Sequence, residues 1–172
     1  MPEIVVNQGD SLHPRSQETL PVVLVLDNLR SAFNVGNIFR IAEATRAEAI
    51  VACGYTACPP HDKLEKTARG CDRIVPCSHA ETAAEAIRAL RERGYRIYAV
   101  ETVQNAPPYW EADLQFPAAF LLGNEALGVS QDALSLCDSF LSLPALGQKN
   151  SINVGNCAAV ILFDCVRRTG LV

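Results

Sequence analysis

The sequence predicts an α/β protein built on a parallel sheet with helices on both faces. Three observations carry this. Short apolar runs alternate with amphipathic, helix-forming stretches along the chain. The first run, PVVLVLDN (21–28), is apolar without alternation, as a strand buried on both faces should be. The stretch HAETAAEAIRALRERG (79–94) is rich in Ala, Glu and Arg and ends at Gly94, which marks a helix between two such runs.

The elements follow in order. Residues 1–20 are polar, contain Pro14, and are expected to form an arm or short extension. Residues 21–172 then make one domain, since 172 residues suffice for one core and hardly for two. A strand over 21–28 leads through a polar loop to a helix from about Asn34 to Thr45, with Ile38, Ile41 and Ala42 on its apolar face. EAIVACG (48–54) is a second strand. A double proline forbids helix at the start of 56–70, which becomes a loop leading into a short helix. RIVPC (73–77) reads as a short strand, 79–94 as the helix already described, and YRIYAVET (95–102) as another strand. AAFLLGNE (118–125) is a strand entering a glycine loop, followed by a short helix near Ser130–Ser135. SFLSLP (139–144) is the last strand, and a helix over about 153–168 closes the chain.

Composition narrows the function classes. No apolar run approaches the length that spans a bilayer, and the first residues lack the basic-then-apolar pattern of a secretory leader. A cytoplasmic location is the expectation. Seven cysteines (53, 58, 71, 77, 137, 157, 165) include no Cys-x-x-Cys pair and form no ligand spacing with His13, His61 or His79, so no metal site is expected. With 15 basic and 19 acidic residues the net charge is −4, which argues against a broad, non-specific grip on nucleic acid. It leaves room for a local basic groove. Arg30, Arg40, Arg46, Lys63, Lys66, Arg69, Arg73 and Lys149 lie in or near the polar loops; Arg88, Arg91, Arg93 and Arg96 read as a solvated helix end.

Loops at the carboxyl ends of parallel strands are where such folds hold ligands. Three of these loops are polar and glycine-bearing: 26–40, 121–130 and 143–159. None is a dinucleotide fingerprint, because the first has the single glycine Gly36. None is a phosphate loop either, because Val129 and Ser130 follow Gly128 where Lys and Ser/Thr are needed. Gly123, Gly128 and Gly147 suit backbone turns and close ligand approach. Asn34 suits the N-cap of the first helix, and Ser151 and Asn153 suit the start of the last one. Glu125 is placed to pair with a nearby arginine.

Together the three loops resemble the SpoU (TrmH-like) family of the SPOUT superfamily. Asn34, Gly36 and Arg40 fit its Asn-x-Gly-x-x-x-Arg motif. Gly123, Glu125 and Gly128 fit Gly-x-Glu-x-x-Gly. Pro144, Gly147, Ser151, Asn153 and Val154 fit the third, a Pro–Gly loop followed by Ser-x-Asn-Val. Ala145 departs from the family's usual Met, and Gly155-Asn156 from its usual Ser-Val. The resemblance spans about residues 20–168.

That resemblance implies a C-terminal deep trefoil knot and a homodimer with the site at the interface. It also implies methyl transfer from S-adenosylmethionine to a ribose 2′-hydroxyl of RNA, tRNA favoured over rRNA because relatives of minimal length often act on tRNA. It places the donor against Leu122, Gly123, Gly128, Leu143, Ile152 and Asn153, and catalysis on Arg40, Asn34, Glu125, Ser151 and Asn153. An arginine, with a pKa above about 12, is a poor base. Arg40 therefore better suits a clamp on the adjacent phosphate that also stabilises a developing alkoxide. The competing expectations are a knotted module that binds RNA or the donor without turnover, and a nucleotide-dependent oxidoreductase, for which the sequence holds no fingerprint.

Overall fold

The computed structural model describes residues 18–103, 106–149 and 151–171. Most of the expected arm, residues 1–17, lies outside them, and Leu20 already belongs to the first strand. Six parallel strands form one sheet in the order β3-β2-β1-β5-β4-β6. They are β1 (Leu20–Asp27), β2 (Ala47–Cys53), β3 (Cys77–Ala80), β4 (Arg96–Val100), β5 (Ala118–Leu122) and β6 (Ser139–Leu141). The helices are α1 (Ala32–Thr45), α2 (Asp62–Ala68), α3 (Ala83–Glu92), α4 (Gln131–Leu134) and α5 (Val154–Thr169).

The unbroken apolar run of β1 has a direct cause. Leu20, Val22, Leu24 and Leu26 face Ile38, Phe39 and Ala42 of α1 and Ile161, Leu162 and Cys165 of α5. Val23 and Val25 face the opposite way, onto Ile87 and Leu90 of α3 and Ala133 of α4. Two cores thus share one strand, and each removes apolar surface from water on its own side. β5 is split in the same way: Phe120 stacks on Tyr98 with ring centroids 5.4 Å apart in the first core, while Ala119 and Leu121 enter the second.

Two elements differ from their sequence expectation. Residues 73–77 are not a strand. Cys71–Arg73 form a 3-10 turn, Ile74 is exposed, and β3 begins only at Cys77. Pro76 has no N–H to give a ladder, although its carbonyl accepts from Ile50 N at 2.9 Å. β3 pairs with β2 alone, so this edge strand tolerates the polar sequence CSHA. The third helix also starts later than 79. The Thr82 hydroxyl caps it by accepting from Glu85 N at 3.2 Å, and Thr-x-x-Glu is a helix-start signature in the sequence itself. The arginines around it are exposed, as expected, and three of them make ion pairs: Arg91 and Arg96 reach Asp138, and Arg93 reaches Glu48.

Two of the seven cysteines, Cys53 and Cys165, are buried in the cores. Burial, with Asp27 next, pushes Cys53 up to about 12; burial, with Asp164 next, does the same for Cys165. Such thiols stay protonated at neutral pH and behave as small apolar groups.

Gly36 lies where α1 crosses α2, and a Cβ there would fall on the Thr67 side chain and the Ala68 backbone. Thr67 Oγ1 is itself bonded to Ala32 O at 3.2 Å and Leu64 O at 3.0 Å, so it has little room to move. Gly36→Ala is expected to destabilise the fold by about 1–3 kcal/mol, the range for over-packing. Urea unfolding of both proteins measures it.

Candidate active site

A pocket of about 440 Å³ opens at the carboxyl end of the sheet, where β4, β5 and β6 end and α5 begins. That volume lies within the range of small-molecule sites. All six residues expected at the donor, Leu122, Gly123, Gly128, Leu143, Ile152 and Asn153, line it, and so do Ser151 and Glu125. Residues as far apart in sequence as Val100 and Cys157 meet here because β5 and β6 flank β4 in the sheet.

The loop after β5 is shaped by backbone contacts. Asn124 and Gly128 exchange both backbone hydrogen bonds at 2.9 Å, which closes the loop. Gly128 holds φ at +70°, and a Cβ on Gly123 would fall on Val129 N and the Gly128 carbonyl. Only glycine allows these two strands of loop to approach so closely. Gly147 meets no such demand, since a Cβ there has open space around it.

Three carboxylates hold this loop to its neighbours. Asp27, almost completely buried at the end of β1, accepts from Ser130 N at 2.7 Å and from Asn28 Nδ2 at 2.9 Å. Glu101 at the end of β4 accepts from Val129 N at 3.1 Å and lines the pocket. Glu125 reaches across to α1, accepting from Arg30 N at 3.0 Å, Ser31 N at 3.3 Å and Asn34 Nδ2 at 2.9 Å. It therefore pairs with a helix N-terminus and an amide rather than with an arginine side chain. The N–H donors and the positive end of the helix dipole favour the carboxylate there as a diffuse cation would.

Asn34 is not the N-cap either. Ser31 caps α1, accepting from Asn34 N at 3.3 Å, which places Asn34 in the first turn with its side chain free for other work. Its Nδ2 donates to Glu125, and its Oδ1 accepts from Asn153 Nδ2 at 3.1 Å. Asn153 in turn caps α5, its Oδ1 accepting from Gly155 N at 2.9 Å. The three motif loops are thus joined by one hydrogen-bonded chain, from the α1 N-terminus through Glu125, Asn34 and Asn153 to the α5 N-terminus. Ser151 is exposed at the pocket and is not part of that chain.

Arg40 stands apart. It is exposed on α1, is not among the residues lining the pocket, and its side chain has no ion pair among the described residues. It lies near the 3-10 turn: burial and then Glu43 push the Cys71 thiol up, and the Arg40 charge opposes them.

Sequence reasoning missed Asn124, a buried amide in the second motif. Its Nδ2 donates to Asn28 O at 2.7 Å and to the Tyr55 hydroxyl at 2.8 Å, and its Oδ1 accepts from Ala126 N and Leu127 N. It also missed Asp27 and Glu101. The Asp-Asn ending of the first apolar run was the available signal for Asp27; Glu101 gave none.

Comparison with known proteins identifies the family. Residues 21–163 match the SpoU rRNA Methylase family. The chain belongs to that family. It is 33% identical over 147 residues to a tRNA (guanosine(18)-2′-O)-methyltransferase of Thermus thermophilus, covering 86% of this chain and 75% of that protein. It is 30% identical over 153 residues to a 23S rRNA (guanosine-2′-O-)-methyltransferase of Ralstonia nicotianae, covering 88% of this chain and 61% of that protein. Among solved structures, the SpoU methyltransferase AviRb of Streptomyces viridochromogenes, in complex with the cofactor AdoMet, superposes with a TM-score of 0.77 at 26% identity. That match covers 86% of this chain and 57% of that one. The chain thus spans about three fifths of the length of several curated relatives it matches.

Burial would raise the pKa of Glu125, but the donors from Arg30, Asn34 and Ser31 outweigh it and hold the carboxyl below its ordinary 4.5. A carboxyl depressed on folding stabilises the fold at pH values above its unfolded pKa, and that contribution is lost as pH falls through the folded value. Glu125→Gln is therefore expected to be less stable than the parent at pH 7. The gap should close as the pH drops below about 4.5, the ordinary value. Thermal unfolding across pH tests this; a gap constant with pH would show that the charge of Glu125 is irrelevant.

Proposed function

We propose that the chain is an S-adenosylmethionine-dependent RNA methyltransferase that acts on a ribose 2′-hydroxyl, with tRNA favoured over rRNA. The observation that carries this reading is the pocket itself, where the donor residues expected from the three motifs form one continuous lining. The relatives named as 2′-O-methyltransferases support the reaction, and the AdoMet complex of a relative supports the cofactor.

The residues present fit that cofactor. When bound, it supplies an activated methyl group on a cationic sulfur. The close-packed backbone at Gly123 and Gly128 leaves room for an extended ligand and offers main-chain polar groups to its base and ribose. Glu101 adds a carboxylate to the wall, which favours a cation in an otherwise partly apolar pocket. The Glu125–Asn34–Asn153 chain fixes the spacing of the loops, and Ser151 and Asn153 offer hydrogen-bonding groups at the mouth. Two nitrogen donors in a fixed fork let Arg40 grip an RNA phosphate and stabilise a 2′-alkoxide, with the proton leaving to water or phosphate.

Because Arg40 does not line the pocket of its own chain, this reading takes the chain as a homodimer in which one copy's Arg40 serves the other's pocket. Exposed Ile152 and Phe163 at the start and on the face of α5 are apolar surface suited to such an interface. The trefoil knot belongs to the same reading. It is supported by the return of the chain from β6, beside β4, to α5, which packs on α1 and β1.

The same separation of Arg40 from the pocket favours a second reading, a module that binds RNA or donor without turnover. Titration with S-adenosylmethionine followed by transfer of labelled methyl to bulk RNA separates the two. The expected result is donor binding and alkali-resistant label in RNA. Arg40→Lys should keep donor affinity and lose at least about tenfold in transfer, because a point charge cannot replace a bidentate clamp. Donor binding with no transfer to any RNA fraction would leave the binding module. Transfer by a protein that sediments solely as a monomer would exclude the shared site. Mapping of 2′-O-methyl positions in RNA from cells with and without the gene identifies the target.

A further inference from the structure

A second groove, of about 400 Å³, lies on the other side of the Glu125 clamp. It runs between the first turn of α1, the loop after β2 and the start of α2, and its lining includes Arg30, Phe33, Tyr55, His61 and Lys63. Phe33 is 70% and Tyr55 62% exposed. A single exposed aromatic needs no explanation, but two in one groove with two cations are a different matter. No carboxylate is among the described residues lining it, and the side chains of Arg30 and Lys63 enter no ion pair among the described residues. In a chain of net charge −4 this is a local reversal of sign.

The groove is also tied to the pocket. Tyr55 N donates to Asn28 Oδ1 at 3.4 Å, and the Tyr55 hydroxyl accepts from Asn124 Nδ2, whose residue lines the pocket. Tyr55 is thus held by its polar end while its ring stays in water. The wall between the two cavities is the set of bonds from Arg30 N and Ser31 N to Glu125, so a strand crossing that wall would occupy both.

We infer that this groove holds an unpaired RNA nucleotide neighbouring the one whose ribose enters the pocket. Its base stacks on Phe33 and Tyr55, and its phosphates are met by Arg30 and Lys63. Aromatic faces combined with a basic rim are how proteins grip single-stranded RNA, and stacking is indifferent to base identity. The groove therefore selects an unpaired segment over a helical one. The inference rests on the RNA-methyltransferase reading but makes a separate prediction.

The test uses the full chain and fluorescein-labelled bulk tRNA, followed by anisotropy, with S-adenosylmethionine affinity titrated separately. Phe33→Ala and Tyr55→Ala should each weaken tRNA binding about tenfold, within the range for loss of one stacked base, and raise the KM for RNA more than they lower kcat. Tyr55→Phe should retain most of the affinity. Lys63→Glu should weaken binding and flatten its salt dependence. Donor affinity of Phe33→Ala should stay within about twofold of the parent's, and Arg88→Ala on the far helix α3 should change neither readout. Photocrosslinks from 4-thiouridine-substituted tRNA should fall on peptides carrying Phe33 or Tyr55. Unchanged tRNA affinity in a folded Phe33→Ala/Tyr55→Ala protein, or no tRNA binding by the parent, overturns the groove. If methyl transfer persists in that double variant at the parent KM, the groove fails and the methyltransferase reading stands. Groove-dependent tRNA binding without transfer supports the groove and sinks the other reading.

Discussion

The hydrogen-bonded chain through Glu125, Asn34 and Asn153 is the constraint on which the site depends. Parallel strands end in loops whose backbone groups no longer have a ladder, and the N-termini of α1 and α5 add further unsatisfied N–H groups. Glu125 answers the first helix, Asn153 answers the second, and Asn34, able to donate and accept at once, joins them. Each bond on its own contributes on the order of 1 kcal/mol at most in so open a setting. Their joint effect is geometric: three segments distant in sequence are held at one spacing.

The sheet makes that arrangement possible. β1 is buried on both faces, so its end is rigid, and Asp27 at that end is a fixed acceptor for Ser130 N. Glu101, at the end of β4, does the same for Val129 N. Two carboxylates on different strands therefore grip the loop after β5 at adjacent residues, while Glu125 within that loop grips α1. A buried carboxylate is costly unless its oxygens accept hydrogen bonds, and here the loop backbone supplies them. The acidity of the chain is in part structural: some of its carboxylates are spent on backbone donors rather than displayed to solvent.

At the other end of the fold, Asp164 on α5 binds Arg167 and Arg168 at 2.7 and 2.6 Å, and Arg168 carries on to the carbonyls of Tyr109, Trp110 and Ala112. The last helix is thus tied to the loop before β5 as well as to α1. The α5 N-terminus can then serve as a fixed wall of the pocket, because the helix behind it is anchored along its length.

Much of this was legible in the sequence. The β1 run, the amphipathic α3 with its Thr-x-x-Glu start, and the three polar strand-end loops depend on local preferences and on burial period, which a chain carries residue by residue. Gly123 and Gly128 were legible as backbone turns that need glycine, whereas the six residues expected at the donor came from the resemblance to the family. The strand assigned to 73–77 failed because neither apolarity nor β-branching reports where an edge strand starts, and Pro76 postpones it. The sequence could name Asn34, Glu125 and Asn153, but not that they bind one another, and it suggested an arginine for Glu125 where folding brought a helix N-terminus. It could name Arg40, but not that Arg40 stands away from the pocket of its own chain. Which residues carry polar groups is a local property, written in the chain. Which of those groups meet is set by strand order, and β1 lies beside β5, with β4 between β5 and β6, only once the sheet has formed.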